Sequence, residues 1–315
     1  MKEAYSLKVV VLMSTYNGEK YIREQLDSIL NQTIANQVQI YIRDDGSSDS
    51  TISIIEEYIA AGADIVLDKA ENVGVIASFF ELIKTAPEAD YYSFADQDDV
   101  WLKEKLEAAV EKLGNNEQEC GKDTPLLYCG DTNLVDGELN LIKRESKNPR
   151  PSFGNALVEN ICTGCTAVIN RALLEKIREN IPDTSKIIMH DWWLYLIAEA
   201  YGTTIYDNEP HMNYRQHGNN EWGAKTSRWA VAKHRLKQLF AKRGQIYRQL
   251  EEFEKTTNSN SGAQLNEKQK SQLSAVLNSE KTLAAKIKLC RNKSVYRNSR
   301  NRDRVYRFAL LVGKL

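Results

Sequence analysis

Three features of the sequence predict a doubly wound α/β fold for residues 1–224. Apolar, β-branched runs alternate with amphipathic stretches of helical period, the pattern of strands joined by crossover helices. The first run, residues 7–13 (LKVVVLM), is continuously apolar, as in a strand covered on both faces. Polar clusters follow the strands directly, around Thr15 to Gly18, Asp44 to Asp49 and Asp96 to Asp99. An open parallel sheet carries its ligand site at these carboxyl ends.

The elements follow in order. After strand 7–13, Ser14-Thr15-Tyr16-Asn17-Gly18 is turn chemistry, and a helix with Tyr21, Ile22, Leu26, Ile29 and Leu30 on one face comes next. Residues 38–42 form a second strand, closing on Asp44-Asp45-Gly46-Ser47-Ser48-Asp49-Ser50. Residues 51–61 read as a helix and 64–67 as a third strand. Residues 72–86 are helical after the Gly74 turn, and 91–95 make a fourth strand ending on Asp96-Gln97-Asp98-Asp99. The pattern over 100–113 predicts a helix, with Asp99 placed to cap it. From 126–135 through 167–170 the strands are shorter and the alternation is lost. His190-Asp191 opens an apolar helix over 192–200. From residue 225 the pattern is long, charged and helical, broken near 256–262, which predicts a helix–linker–helix extension.

At 315 residues and 42% hydrophobic content, the chain has room for a full core without disulfides or structural metals. The length suits one large domain, 1–224, and a basic helical region, 225–315. A net charge of −1 conceals a division: residues 1–224 carry 20 Lys and Arg against 37 Asp and Glu, residues 225–315 carry 22 against 6. An acidic, cation-using body and a basic tail seeking an anionic partner are the expectation. No run of 18 apolar residues suggests a spanning helix, and the first residues lack the h-region of a secretory signal. Cys162-Thr163-Gly164-Cys165 has CxxC spacing, but no second pair or histidine cluster completes a metal site. The five cysteines read as packing thiols in a reducing compartment. Neither GxGxxG nor GxxxxGK[ST] is present, which argues against dehydrogenases and P-loop NTPases.

Each polar cluster admits a chemical and a structural reading. Asp96 and Asp98 put two carboxylates at the mouth of a strand, where a hard divalent cation would offset their repulsion; a capping loop would also use them. Asp45 can accept hydrogen bonds from a ribose or base, or belong to a glycine turn with a helix cap. Asp191 can serve as a general base or cap its helix. Tyr214-Arg215-Gln216-His217-Gly218 gathers a cation and an imidazole fit for a leaving diphosphate, although a single loop histidine is also ordinary surface.

Taken in order, Ser14-Thr15-Tyr16-Asn17-Gly18, Asp44-Asp45-Gly46-Ser47-Ser48-Asp49, Asn72-Val73-Gly74, Asp96-Gln97-Asp98-Asp99-Val100-Trp101 and His190-Asp191-Trp192-Trp193 resemble the family 2 glycosyltransferases with the GT-A fold, over about 7–222. DQDDVW, HDWW and YRQHGNN are most similar to the bacterial rhamnosyltransferases of cell-wall and capsular polysaccharide synthesis. The resemblance implies an inverting single displacement, with Mg²⁺ or Mn²⁺ on the diphosphate of a nucleotide-sugar donor, foremost dTDP-L-rhamnose. It places Thr15, Tyr16 and Asn17 in the nucleotide pocket, Asp45 on the base or ribose, Asp96 by the ribose and Asp98 on the metal. It makes Asp191 the catalytic base, with His217 on the metal or diphosphate and Arg215 alongside. The QxxRW motif of processive synthases is missing, so few additions per encounter are expected. A UDP-sugar donor, or a non-catalytic sugar-nucleotide-binding scaffold, are the rival readings.

Residues 281–315 hold 11 Lys and Arg against Asp303 alone, interleaved with apolar residues and tyrosine. That composition suits an anionic membrane surface, ahead of a contact between copies of the chain, with nucleic acid not expected. The expected setting is therefore the cytoplasmic face of the cell membrane, next to a lipid-diphosphate-linked saccharide acceptor.

Overall fold

The computed structural model describes residues 7–216, 244–259 and 264–313. Strands β1 (Val9–Thr15), β2 (Val38–Asp44), β3 (Ile65–Lys69) and β4 (Tyr91–Ala95) alternate with helices α1 (Ile22–Leu30), α2 (Thr51–Ala60) and α3 (Val75–Thr85). They pair in parallel in the order β3-β2-β1-β4, with Val9 opposite Val38 and Tyr91. Beyond β4, the sheet continues through β9 (Val168–Asn170), β6 (Leu126–Gly130) and β10 (Thr203–Asp207), β9 running antiparallel to both its neighbours. This antiparallel insertion is where the sequence lost its alternation.

The apolar runs work as their period dictates. Successive side chains of a strand point to opposite faces, so Val10 and Leu12 enter one core and Val9, Val11 and Met13 the other. All five are fully buried. Each contributes about 1.5–3 kcal/mol by leaving water, and Leu12→Ala should cost about 2–5 kcal/mol.

Two expectations are corrected. Residues 100–113 do not form one helix. Val100–Trp101 is a short strand, β5, paired antiparallel with β11 (Met212–Arg215), and α4 begins only at Lys105, running to Cys120. Asp99 therefore caps nothing: the pull of a partner strand distant in sequence overrides helical propensity here. With β7 (Asn133–Val135) and β8 (Leu141–Arg144), these strands make a second sheet in the order β5-β11-β7-β8.

The second correction concerns the tail. After α5 (Phe153–Ala156), α6 (Arg171–Glu179) and α7 (His190–Tyr201), the described C-terminal residues form four helices: α8 (Gln245–Ser259), α9 (Glu267–Ser279), α10 (Leu283–Arg291) and α11 (Arg300–Leu311). Helix α8 continues through Thr256 and Thr257, which back-bond to the carbonyls of Glu252 and Phe253. Tyr247, Leu250, Phe253, Leu273, Tyr306 and Leu310 join the same core as Trp193 and Leu12. Charge marks where the basic region begins, but packing runs across both.

Candidate active site

The loops after β1 and β2 are stitched together. Thr15 is fully buried and donates its hydroxyl to Asp44 at 2.8 Å; Asp44 also accepts from the Ser47 amide and hydroxyl. Asn17, at φ 48°, donates its amide to Ser47 Oγ and accepts from the Ser48 amide through its side chain. Tyr16 is half exposed between them. Gln97 clamps its backbone, accepting from the Tyr16 amide and donating to its carbonyl, each at 2.9 Å. The clamp requires Gly18, since a Cβ there would sit 2.2 Å from Gln97 Oε1.

Asp45 is buried against Arg43, with which it forms an ion pair at 2.5 Å, and accepts from the amides of Val73 and Gly74 at 2.9 Å. It braces the turn where Gly74 takes φ 83°, a left-handed conformation that glycine adopts at little cost. A nucleotide contact by Asp45 belongs to the proposal below.

Asp96 and Asp98 are half-buried at the end of β4, and Gln25 holds the Asp96 carbonyl at 2.9 Å. Among the described residues, ligand atoms of Asp96, Asp99 and Cys165 lie within 4.8 Å of one another. Asp98, the expected principal ligand, is the neighbour of this trio rather than a member. Asp99 is fully buried; burial, then the charges of Asp98 and Asp96, push its carboxyl well above the usual range. Its Oδ1 accepts from the Arg215 amide at 3.1 Å, while its buried Oδ2 meets no nitrogen or oxygen donor. Burial, then the charges of Asp99 and Asp96, push the Cys165 thiol up, so it stays S–H. Carboxylate oxygens suit a hard ion such as Mg²⁺ or Mn²⁺, and a neutral thiol is a poor ligand for it. The carboxylates of Asp96 and Asp99, with Asp98 beside them in the loop, are oxygen donors of the kind a hard divalent cation takes.

Arg215 is 1% exposed, donates Nε to the Asp98 carbonyl at 2.8 Å and Nη1 to the Gly137 carbonyl at 2.6 Å, and pairs with Glu24. Its guanidinium lies over the Tyr21 ring, 4.5 Å from the centroid. A guanidinium turned onto protein acceptors this way positions the acidic loop. His217 lies outside the described residues.

Asp191 occupies the first turn of α7. It accepts from Asn160 Nδ2 at 2.9 Å and from the Gly164 amide at 3.1 Å. Burial pushes its carboxyl up to about 7, against the pull of those donors, the Trp192 amide and the charge of Lys147. Among the described residues, no cation is in contact with it to offset the desolvation. The preceding His190 is stacked on Phe79 with centroids 4.0 Å apart, and burial holds its imidazole down at about 3, so it is a neutral wedge. A Cβ on Gly164 would meet His190 Nε2 at 2.9 Å, so glycine allows the backbone to reach Asp191.

The short turn Gly164–Thr166 thus joins two chemistries: Gly164 bonds Asp191, and Cys165 adjoins Asp96 and Asp99. Lys105 closes the floor, 2% exposed, with Nζ 3.1 Å from Ser93 Oγ and 3.5 Å from the centre of the Trp101 ring; burial pushes it down to about 7. Sequence reading missed Gln97, Asp99 and Asn160 as site residues. Gln97 and Asp99 stood inside a motif already singled out, whereas Asn160 carries no local signal.

A carboxylate-bearing loop at the end of a parallel strand, facing a buried carboxylate across one turn of backbone, is the arrangement of a glycosyltransferase. The chain belongs to glycosyl transferase family 2, whose description matches residues 10–178. RfbG of Shigella flexneri, a dTDP-rhamnosyl transferase, is 36% identical over 227 residues, covering 68% of this chain and 75% of that one. The fold is similar to S. aureus TarS 1-349 in complex with UDP-GlcNAc, with TM-score 0.60 and 17% identity over 98% of this chain and 89% of that one. It is also similar to the mannosyltransferase PcManGT from Pyrobaculum calidifontis in complex with GDP-Man and Mn²⁺, with TM-score 0.58 and 16% identity over 91% and 73%. At these identities the two structures bear on the fold alone.

Proposed function

We propose that the chain is an inverting, metal-dependent glycosyltransferase that moves L-rhamnose from dTDP-L-rhamnose to a lipid-diphosphate-linked saccharide in bacterial polysaccharide synthesis. The carrying observation is Asp191, a buried carboxylate pushed to about 7 and bonded to the same turn that adjoins the acidic loop. A base is most effective when its pKa lies near the working pH. Asp191 takes the proton of the acceptor hydroxyl as that oxygen attacks the anomeric carbon from the face opposite the leaving diphosphate. Asn160 and the Gly164 amide hold the carboxylate in place for the transfer. Tyr16, Asn17 and Asp45 border the nucleotide, with Thr15 supporting them through Asp44. A divalent ion held by Asp96 and Asp98 would neutralise charge on the leaving diphosphate. The choice of rhamnose rests on the identity to RfbG.

Release of nucleoside diphosphate, measured with dTDP-L-rhamnose, UDP-GlcNAc or UDP-galactose and a bacterial lipid-linked saccharide extract, tests this. Turnover with dTDP-L-rhamnose, abolished by EDTA and in Asp98→Ala, is the expected result. Turnover with a UDP-sugar alone would remove rhamnose, and donor binding without any turnover would favour a scaffold.

A further inference from the structure

Helices α10 and α11 are apolar on two sides. Leu289, Tyr306, Ala309 and Leu310 turn inward and are buried in the core. On the outside, α11 exposes Val305 (54%), Phe308 (68%) and Leu311 (40%), a helical stripe continued by Val312 (48%) just past its end, and α10 exposes Leu283 (61%) and Ile287 (39%) one turn apart. The two helices adjoin: Arg307 donates to the carbonyls of Leu289 and Cys290, and a Cβ on Gly313 would lie 3.4 Å from Lys286 Nζ. A surface helix normally turns a polar face outward, so a second apolar face needs a covering partner.

The charge around this face says what covers it. Seven exposed Lys and Arg lie between residues 281 and 304, among them Lys288, Arg291, Arg300 and Arg304. The single acidic residue of 281–313, Asp303, is bonded to Arg307 and to the Arg297 amide. Exposed aromatic and aliphatic residues amid an excess of cations over acids match the boundary of an anionic bilayer, where acyl chains take the former and headgroups the latter. No helix of the described residues is long and apolar enough to cross a membrane, so contact would be from one side.

We propose that the outer face of α10 and α11 docks on an anionic lipid surface and presents the acceptor side of the site to it. The tie to the site is short and runs through Glu159. Glu159 accepts from the Asn298 amide at 2.7 Å and lies 3.7 Å from Arg302 at the start of α11. The next residue, Asn160, holds Asp191. The docking face thus leads into the segment that positions the base, as a lipid-linked acceptor requires; the inference does not depend on which sugar is transferred.

The test is co-sedimentation of the full chain with vesicles of phosphatidylcholine alone or with 30% phosphatidylglycerol. Val305→Glu/Phe308→Glu and Lys288→Glu/Arg304→Glu change only exposed side chains, and a donor-induced rise in Tm checks that the site is intact. The expected result is binding to the anionic vesicles alone, weakened by raising salt from 0.1 to 0.5 M and about tenfold or more by either pair of substitutions. Equal affinity for both vesicle types, or for neither, would overturn the proposal. So would a dimer in solution that Val305→Glu/Phe308→Glu dissociates, which would make the face a contact between copies, or RNA binding that the apolar pair leaves unchanged. Loss of donor binding or turnover in the unmodified chain would count against the proposed reaction and leave lipid binding to be judged separately.

Discussion

Asp45 and Asp191 are the same residue type at comparable depth, 2% and 9% exposed, each accepting hydrogen bonds from backbone amides. Among the described residues they differ in one partner. Asp45 touches the guanidinium of Arg43, whereas the cation that acts on Asp191, Lys147, is bonded elsewhere, to Thr163 and Glu145. A buried charge with a cation in contact is a fixed strut. A buried charge supported by neutral donors alone is held in place yet still trades its proton near neutrality. The contrast separates the framework of the pocket from its chemistry, and it can be broken experimentally.

The largest effect should come from Asp191→Asn, which keeps the shape but cannot take a proton: turnover should fall about 10²–10⁴-fold, with Tm and donor binding near those of the unmodified chain. Full turnover in this variant would remove the base assignment. Asp45→Ala should act foremost on stability. Stranding Arg43 and two amides should cost about 3–5 kcal/mol in chemical denaturation, whatever the substrate. Gly164→Ala crowds His190 and Asp191 and should cost about 1–3 kcal/mol while also lowering the rate. The smallest change is expected from Asn160→Ala. Removing a donor to the carboxylate disfavours its charged form, so the pH at which activity falls should move up by about one unit. A purely structural role for Asn160 would lower Tm and leave that pH in place.

How far the sequence could be read depends on the range of the interactions involved. Strand β1 was legible because burial on both faces demands an unbroken apolar run, and the clusters after β1, β2 and β4 because a parallel sheet gathers ligands there. Val100 and Trp101 were misread because β5 exists only by pairing with Met212 and Asn213, more than a hundred residues away. Separation in sequence also hides the Arg215 amide on Asp99, 116 residues away, and the Asn160 bond to Asp191, 31 residues away. The Arg215 side chain bonds Glu24 and Gly137, acceptors that no local motif announces. The core contacts of Tyr247 and Phe253 were masked by charge, which dominates the composition of the tail although their buried face does not carry it.

The account stands most directly on the protonation of Asp191. Stability offers a weak view of it: with its folded pKa raised to about 7, the group's contribution is present at low pH and lost as pH rises through 7. Rate offers a strong one. The decisive measurement is kcat/KM for nucleoside diphosphate release from pH 5 to 9, with the donor-induced Tm shift followed at each pH. The account predicts a rate level above pH 7 that falls about tenfold per unit below it, while donor binding persists. A rate that stays level down to pH 5 with donor binding intact would contradict it.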